Sequence, residues 1–191
     1  MAYEPVRNDD SRSHNQGGSE MTTINGIDVD DLQSFRRSIQ DDSTKADRRP
    51  TVVAHWVGGS RSRIECGDVV GLLGGEGELN AMQALLAALA ACDIDVVAMH
   101  AAMIGVQIED MTVEATGHFN ITSYLGIDHA PSPGYDGMTY RIRLWAPGAN
   151  PEQVAYLRER CERSSPVGDS LSRAIPLELD IQVEELASET G

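Results

Sequence analysis

The sequence predicts an α+β domain in which a mainly antiparallel sheet packs around a deeply buried helix. Three observations indicate this class. Residues 80–103 form a long, alanine-rich apolar stretch, several later segments alternate apolar and polar side chains, and helices and strands do not alternate strictly along the chain. A chain of 191 residues is long enough for one such domain with flanking segments.

The chain divides into three parts. Residues 1–21 are rich in Ser, Asn, Asp and Gly and have no hydrophobic period, which predicts a disordered tail. Residues 22–50 contain a short amphipathic helix that Asp28 can cap, and then a polar linker ending at Pro50. The folded domain is placed at residues 51–187.

The first half of the domain is predicted as a hairpin, a loop and a helix. The hairpin strands are residues 51–57 and 60–66, and a glycine-rich loop follows at residues 71–77. Asn80 can cap the long helix, which ends near Gly105. Because this helix is apolar nearly all round, we expect it to be buried on every side. One chain of this size has few elements to cover it, which favours an intertwined homodimer.

The second half is predicted as strands with a helix between them. Strand patterns occur at residues 111–118 and 138–145. Asn150 and Pro151 have the sequence of a helix start, and this helix is expected to continue to about residue 163. A final strand is expected from the alternation of apolar with charged or amide side chains, with the apolar positions at Leu177, Leu179, Ile181 and Val183.

Charge and composition exclude several classes of partner. The net charge is −15, so most of the surface repels a phosphate backbone or an anionic membrane. The longest apolar run, residues 84–92, is much shorter than a membrane span, and residues 1–20 lack a signal-peptide stretch, so we expect a cytoplasmic protein. Three scattered cysteines predict neither a disulfide framework nor a zinc site, and no metal or cofactor is expected.

Short motifs suggest little chemistry of their own. The sequence GDSL at residues 168–171 has no histidine after it and lies too late in the chain for a hydrolase nucleophile. The glycines of residues 71–77 are interspersed with and followed by acids, Glu76 and Glu78, and no lysine follows them, unlike a phosphate-binding loop. His100 follows the apolar stripe and is expected to be an interior or interface histidine.

Cys92 is the candidate reactive residue. A free cysteine on an apolar stripe is ordinarily a packing residue, and a reactive one must be a thiolate supported by a cation or donors. The chain has no Lys or Arg between Arg63 and Arg141. A counter-cation must therefore come from far along the chain or from a second subunit, and Arg61, beside the hairpin turn, is a candidate.

The sequence resembles the OsmC/Ohr family of thiol proteins over about residues 51–185. The strongest part is GGEGELNAMQALLAALAAC at residues 74–92, which is similar to the family's glycine-rich loop and cysteine helix. The loop YLGIDHAPSPGY at residues 124–135 and the sequence SSPV at residues 164–167 support it. Residues 24–32 resemble a longer branch of OsmC-like proteins.

The resemblance implies an OsmC-like fold, with antiparallel sheet wrapped around two long central helices in an intertwined homodimer. It also implies a peroxidatic cysteine at Cys92 that reduces organic hydroperoxides through a sulfenic acid. An arginine of the hairpin, Arg61 or Arg63, and a glutamate at the helix start are implied to activate it. A second cysteine is implied to form a disulfide that external thiols reduce.

The chain departs from this pattern at two places. Met82 and Gln83 stand where the family has its glutamate, and Gln83 can hydrogen-bond an arginine but cannot neutralise it. Ser165 stands in a segment where the family often has its second cysteine, and Cys161 is a candidate substitute four residues earlier. Cys66 has no assigned role.

Two functions therefore remain open from the sequence. The first is cysteine-dependent reduction of organic hydroperoxides in oxidative stress defence. The second is a non-catalytic protein of the same fold that binds a small hydrophobic ligand at the dimer interface, with Cys92 as a packing residue.

Overall fold

The computed structural model describes residues 22–182. The predicted tail at residues 1–21 lies outside them, as does Val183 of the predicted final strand. The described chain folds into twelve elements, one of them a 3-10 turn at Ser43–Ala46. The others, in chain order, are β1 (Thr23–Ile24), β2 (Ile27–Asp28), α1 (Val29–Asp41), β3 (Val53–Trp56), β4 (Ser62–Cys66), β5 (Val69–Leu73), α2 (Ala81–Met103), β6 (Asp110–Phe119), β7 (Tyr135–Trp145), α3 (Pro151–Ser164) and α4 (Pro166–Ser172).

The N-terminal segment is a small hairpin and a helix fastened to the domain. The side chain of Asp28 caps α1, as predicted, by accepting hydrogen bonds from two backbone N–H groups of the first turn. In the turn between β1 and β2, Asn25 donates to the carbonyl of Val106 at 3.0 Å and accepts from the N–H of Ile108 at 2.8 Å. These two bonds join the segment to the chain that follows α2.

The first sheet has three antiparallel strands in the order β3-β4-β5. Its third strand corrects the sequence prediction, which placed residues 71–77 in a loop. Valine and leucine on both sides of Gly71 favour a strand, and Gly71 pairs with Ile64 of β4. Large apolar side chains of this sheet stay exposed in the single chain, among them Val53, Trp56 and Val69.

The central helix α2 has 23 residues and begins with a capping box formed by Asn80 and Gln83. It ends before Gly105, which has φ 73°, as predicted. By length and composition α2 could cross a membrane, but β6, α3 and α4 pack on it as they do on a core helix. The end of α2 contributes Ala101 to a core cluster with Val106 and Leu157.

The single chain covers α2 on one side only, so the predicted burial on every side depends on the second copy that the sequence analysis expects. The buried residues of α2 lie mainly in the second half of the helix, whereas Ala87, Ala88, Ala91 and Ile94 form an exposed stripe. Ala91 lies three or four residues from each of the other three positions, so the four side chains share one face of the helix. The elements of one chain cover the opposite face only.

The second sheet is the long antiparallel hairpin of β6 and β7, in which Val113 pairs with Ile142. Both strands were predicted, and each is longer than the pattern indicated. The ladder has an irregularity between His118 and Phe119, just before the loop that connects the strands. The inner face of this hairpin covers α2.

The C-terminal part of the described chain contains α3, α4 and an extended segment. Asn150 and Gln153 form a second capping box with Pro151 at the first helical position, as predicted. The predicted final strand is wrong over the described residues, because no strand follows α4 up to residue 182. Leu177 is 93% exposed and Leu179 is 85% exposed, since no neighbouring strand pairs with this segment within the chain.

Candidate functional site

The Cys92 thiol lies half-buried on α2 and contacts one polar side chain. The hydroxyl of Ser165 donates a hydrogen bond to Cys92 Sγ at 3.5 Å. Ser165 lies between α3 and α4 and is 5% exposed. Its oxygen accepts the backbone N–H of Gly168 at 3.1 Å. Because one lone pair of the oxygen is engaged in this way, the hydroxyl proton is free to point at the sulfur.

Glycine at position 168 permits this contact. A Cβ at Gly168 would lie 3.0 Å from Ser165 Oγ and 3.1 Å from Ser165 Cβ. Both separations are shorter than ordinary van der Waals contact. The absence of a side chain at Gly168 therefore lets the first turn of α4 approach Ser165 closely enough to fix the hydroxyl.

A cavity of about 580 Å³ adjoins Ser165. Its apolar wall comes from α2, β7 and α4 and includes Leu89, Tyr135, Met138, Tyr140 and Leu171, and its polar lining includes Asp136, Glu162, Arg163 and Asp169. Cys92 does not line the cavity, but Ser165 and Cys161 do. The cavity is therefore one side chain away from the Cys92 sulfur and is large enough for a small ligand.

Tyr135 is held firmly in the wall of this cavity. Its hydroxyl donates to the carbonyl of Met82 at 2.8 Å, which joins the start of β7 to the first turn of α2. A Cβ at Gly117 would lie 2.5 Å from the Tyr135 ring, so the ring packs directly over the backbone of β6. The ring of Phe119 meets it edge to face at 5.3 Å.

Cys161 shares the cavity with Ser165, although α3 ends at Ser164 and does not continue through Ser165. Burial raises the pKa of the Cys161 thiol, and the carboxylate of Asp93 raises it further. Cys161 is therefore held as the neutral thiol, which is the less nucleophilic form.

Asp93 is a buried carboxylate that the sequence analysis did not single out as a site residue. It is 0% exposed, and among the described residues neither carboxylate oxygen has a hydrogen-bond partner. Burial is the main cause of the raised pKa of both Tyr140 and Cys161, and the charge of Asp93 is the second cause. The surroundings of these two side chains therefore disfavour negative charge.

Arg61 is paired with an acidic residue that the sequence analysis missed. Its guanidinium contacts the Glu78 carboxylate through Nε, at 3.0 and 3.2 Å from the two oxygens, and through Nη2. The hydrogen bond between them raises the pKa of Arg61 and lowers the pKa of Glu78. The backbone N–H of Gly75 also donates to Glu78 at 2.9 Å. The signal in the sequence was an acid just before the helix cap.

The glycine-rich loop makes room for this ion pair. A Cβ at Gly75 would lie 2.7 Å from Glu78 Oε2 and 2.9 Å from Arg61 Nε. Gly74 has φ 88°, and a Cβ there would lie 2.3 Å from the carbonyl oxygen of Ser60. The glycines at residues 74 and 75 therefore bring the hairpin of Arg61 against the start of the cysteine helix.

Arg61 is too far from Cys92 of the same chain to contact it. Glu78 lies before the cap Asn80, and Cys92 follows that cap by twelve residues of helix. At 1.5 Å per residue, about 18 Å of helix separates the ion pair from the sulfur. Within one chain, the predicted pairing of a hairpin arginine with Cys92 is therefore not formed.

The other predicted site residues have local partners. Arg63 pairs with Glu65 on the same strand, and both side chains are partly exposed. The Gln83 side chain accepts the backbone N–H of Asn80 at 3.0 Å and so serves as a helix cap. His100, 9% exposed, is an interior histidine whose Nδ1 lies 3.0 Å from the Tyr156 hydroxyl. Burial lowers the pKa of His100.

Comparison with known proteins places this arrangement in a family. The sequence model of the family described as OsmC-like protein matches residues 74–180, which is more than half of the chain. The chain belongs to the OsmC family. No curated relative matches the sequence.

Solved structures agree with this OsmC fold. An OsmC-like protein from Mycoplasma pneumoniae has a TM-score of 0.55 at 15% identity, covering 66% of this chain and 89% of that chain. An OsmC-like protein of unknown function from Vibrio cholerae has a TM-score of 0.52 at 13% identity, covering 65% and 94%. A hypothetical protein from Aquifex aeolicus has a TM-score of 0.54 at 10% identity, covering 66% and 89%.

Two features of the OsmC resemblance have a definite place in the structure. Met82 replaces the expected glutamate, and Glu78, one helical turn earlier in sequence, has the arginine as its partner. Ser165, in the segment where the family often has its second cysteine, contacts the thiol of Cys92. Both positions could be found from the sequence only by aligning them with the family, because acids before a cap and serines after a helix are common.

Proposed function

We propose that this OsmC family member reduces organic hydroperoxides in oxidative stress defence, with Cys92 as the peroxidatic thiol. The observation that carries the proposal is the contact of Cys92 Sγ with a buried hydroxyl donor at the edge of a cavity. The donor faces the sulfur atom that would react with the peroxide. A packing cysteine has no need of such a partner.

The chemistry is a two-electron transfer from sulfur to the peroxide. The Cys92 thiolate attacks the distal peroxide oxygen, a sulfur–oxygen bond forms as the oxygen–oxygen bond breaks, and the alkoxide takes a proton to leave as an alcohol. The sulfenic acid of Cys92 then reacts with an external thiol, and a second thiol releases the reduced enzyme. The apolar wall of the cavity suits the hydrocarbon part of the hydroperoxide.

The active unit is proposed to be a cytoplasmic homodimer. The exposed alanine stripe of α2 and the exposed apolar side chains of the first sheet support this, because a second copy would remove them from water. The length of about 18 Å of helix between the cap of α2, beside the Arg61–Glu78 pair, and Cys92 supports an active site completed by Arg61 of a second copy.

Peroxide consumption by the purified protein tests the function. Cumene hydroperoxide should disappear in the presence of dithiothreitol, and Cys92→Ser should abolish the catalysed loss. Cys66→Ser is the matched control, because Cys66 is exposed on β4 and belongs to no part of the site. Undiminished consumption by Cys92→Ser would rule the function out.

The contribution of the ion pair is tested separately. Glu78→Gln should lower the rate of peroxide reduction, since the arginine loses the charged partner that orients it. Glu76→Gln, in the same loop and exposed, is the control. Equal rates in both variants would remove Arg61 and Glu78 from the proposed site.

The cavity itself favours a second candidate, a non-catalytic protein that binds a small hydrophobic ligand. Its volume and apolar wall suit such a ligand without any reaction at Cys92. This candidate predicts that a fluorescent apolar probe binds the wild type and Cys92→Ser equally well, and that neither consumes peroxide. Alkylation at graded pH also separates the two, because a packing cysteine resists labelling until the protein unfolds.

A further inference from the structure

We infer that Ser165 is a catalytic residue of a one-cysteine cycle: its hydroxyl contacts the reacting sulfur and leaves oxidised Cys92 as a sulfenic acid rather than an intramolecular disulfide. The inference rests on the proposed function and deepens it. It assigns a role to a side chain that a thiol-to-disulfide cycle would not use.

The geometry places the Ser165 hydroxyl where it can donate to the sulfur. Ser165 Oγ accepts the Gly168 N–H at 3.1 Å and lies 3.5 Å from Cys92 Sγ. At 5% exposure, the hydroxyl has little access to water and keeps these two partners. A hydroxyl that already accepts a hydrogen bond is a stronger donor, so the sulfur receives a polarised proton. The same donor can bond the oxygen of a sulfenic acid.

The position of this hydroxyl decides the fate of the oxidised sulfur. A disulfide needs a second sulfur about 2 Å from the first, and the side chain in contact with Cys92 carries an oxygen instead. Cys161 is the cysteine that lines the cavity, and it stays protonated because burial and the charge of Asp93 raise its pKa. It is therefore a poor nucleophile toward the sulfenic acid.

The reductant must accordingly be a thiol from outside the chain. One thiol condenses with the Cys92 sulfenic acid, forming a mixed disulfide and releasing water. A second thiol attacks the mixed disulfide, which restores the Cys92 thiol and yields the oxidised dithiol product. Two thiols are thus consumed for each hydroperoxide reduced to an alcohol. The opening of the cavity beside Ser165 suits a thiol of low molecular weight.

The test follows the fate of the sulfur after one equivalent of cumene hydroperoxide, without added thiol and with dimedone as the sulfenic acid trap. Intact mass and peptide mapping of the full-length wild type should show a dimedone adduct on Cys92 and no disulfide. Ser165→Cys should lose two hydrogens instead and join Cys92 to the introduced thiol. Ser170→Cys is the matched control on α4, and it should keep the adduct, since Ser170 bonds the Pro166 carbonyl rather than Cys92.

Ser165→Ala separates the hydroxyl from the fold. The rate constant for oxidation of Cys92 should fall about tenfold, the size of one hydrogen bond at the reacting atom. Circular dichroism should stay close to that of the wild type, and the melting temperature should fall by only a few degrees, because Ser165 also caps α4. An unchanged rate constant would show that the hydroxyl plays no part in the reaction.

Three further outcomes overturn the inference, and they differ in what they say of the proposed function. A Cys92–Cys161 disulfide in the wild type, lost in Cys161→Ser, would replace the one-cysteine cycle but keep the peroxidase. Failure of Ser165→Cys to form a disulfide even with diamide would refute the contact between the two side chains. A wild-type Cys92 that is not oxidised at all would overturn both proposals.

Discussion

Gly168→Ala tests whether Gly168 positions the Ser165 hydroxyl, and it leaves the residues Cys92 and Ser165 themselves unchanged. The new Cβ would lie 3.0 Å from Ser165 Oγ and 3.1 Å from Ser165 Cβ, so Ser165 has to move by a few tenths of an ångström. Its bond to Cys92 Sγ is 3.5 Å long, and a displacement of this size lengthens and tilts the bond, which weakens it.

The magnitudes separate the effect on the fold from the effect on the thiol. Replacing glycine by alanine inside α4 stabilises the helix by about 1 kcal/mol, which offsets a steric penalty of similar size. We therefore expect the melting temperature to change by no more than a few degrees. Weakening of the hydrogen bond should slow the reaction of Cys92 by up to about tenfold.

The assay is the rate of alkylation of Cys92 by iodoacetamide at neutral pH, followed by peptide mass spectrometry, with thermal unfolding measured in parallel. Gly148→Ala is the matched control, because a Cβ there would meet nothing within 4 Å and Gly148 belongs to no part of the site. A Gly168→Ala protein that reacts as fast as the wild type would refute the argument that Gly168 positions the hydroxyl.

Three further predictions concern the proposed dimer interface, the pH dependence of the free energy of unfolding and the Cys161 thiol. Ala91→Arg should leave a folded chain, because Ala91 is exposed in the single chain, but light scattering should show that the proposed homodimer is lost. Ala155→Arg, at an exposed position of α3, is the control and should keep the dimer. A dimer of unchanged mass from Ala91→Arg would contradict this prediction. Because the pKa of His100 is lowered in the folded protein, the unfolded chain takes up a proton at a higher pH than the folded chain does. The free energy of unfolding should therefore fall as the pH drops below about 6.5. Denaturant titrations at pH 7.5 and 5 should show that His100→Gln flattens this dependence. The raised pKa of Cys161 means that its alkylation at neutral pH should be several-fold slower than that of exposed Cys66 and should increase at alkaline pH, and equal rates at neutral pH would show that the Cys161 thiol is not shielded.

Local sequence signals predicted most of the elements. The caps Asp28, Asn80 and Asn150 were recognisable because a short polar side chain stood just before an apolar period. Strands β6 and β7 were predicted, β7 from its alternation, but their pairing with each other was not. The third strand of the first sheet was missed because Gly71 interrupts a short apolar run and resembles a loop signal.

The error in the predicted final strand has a different cause, which is that periodicity shows that a face is apolar and does not show what covers it. The alternation of Leu177 and Leu179 predicted a strand, and the uniform apolarity of α2 predicted burial on all sides. In the described chain, both the extended segment and the alanine stripe of α2 remain exposed. Strand pairing and burial are properties of the neighbours, and the proposed neighbour is a second copy.

The amino-acid sequence by itself determined α1, α2 and α3, more than half of the strands, the family and the identity of the candidate nucleophile, because these depend on residue types at close spacing along the chain; α4 was not predicted. Only the tertiary structure decided which side chains meet. It paired Arg61 with Glu78 and brought Ser165 to the sulfur of Cys92, across 73 positions of sequence. Contacts of that range depend on how α2, α3 and α4 pack, and no local pattern of residues encodes the distance between two atoms on different helices.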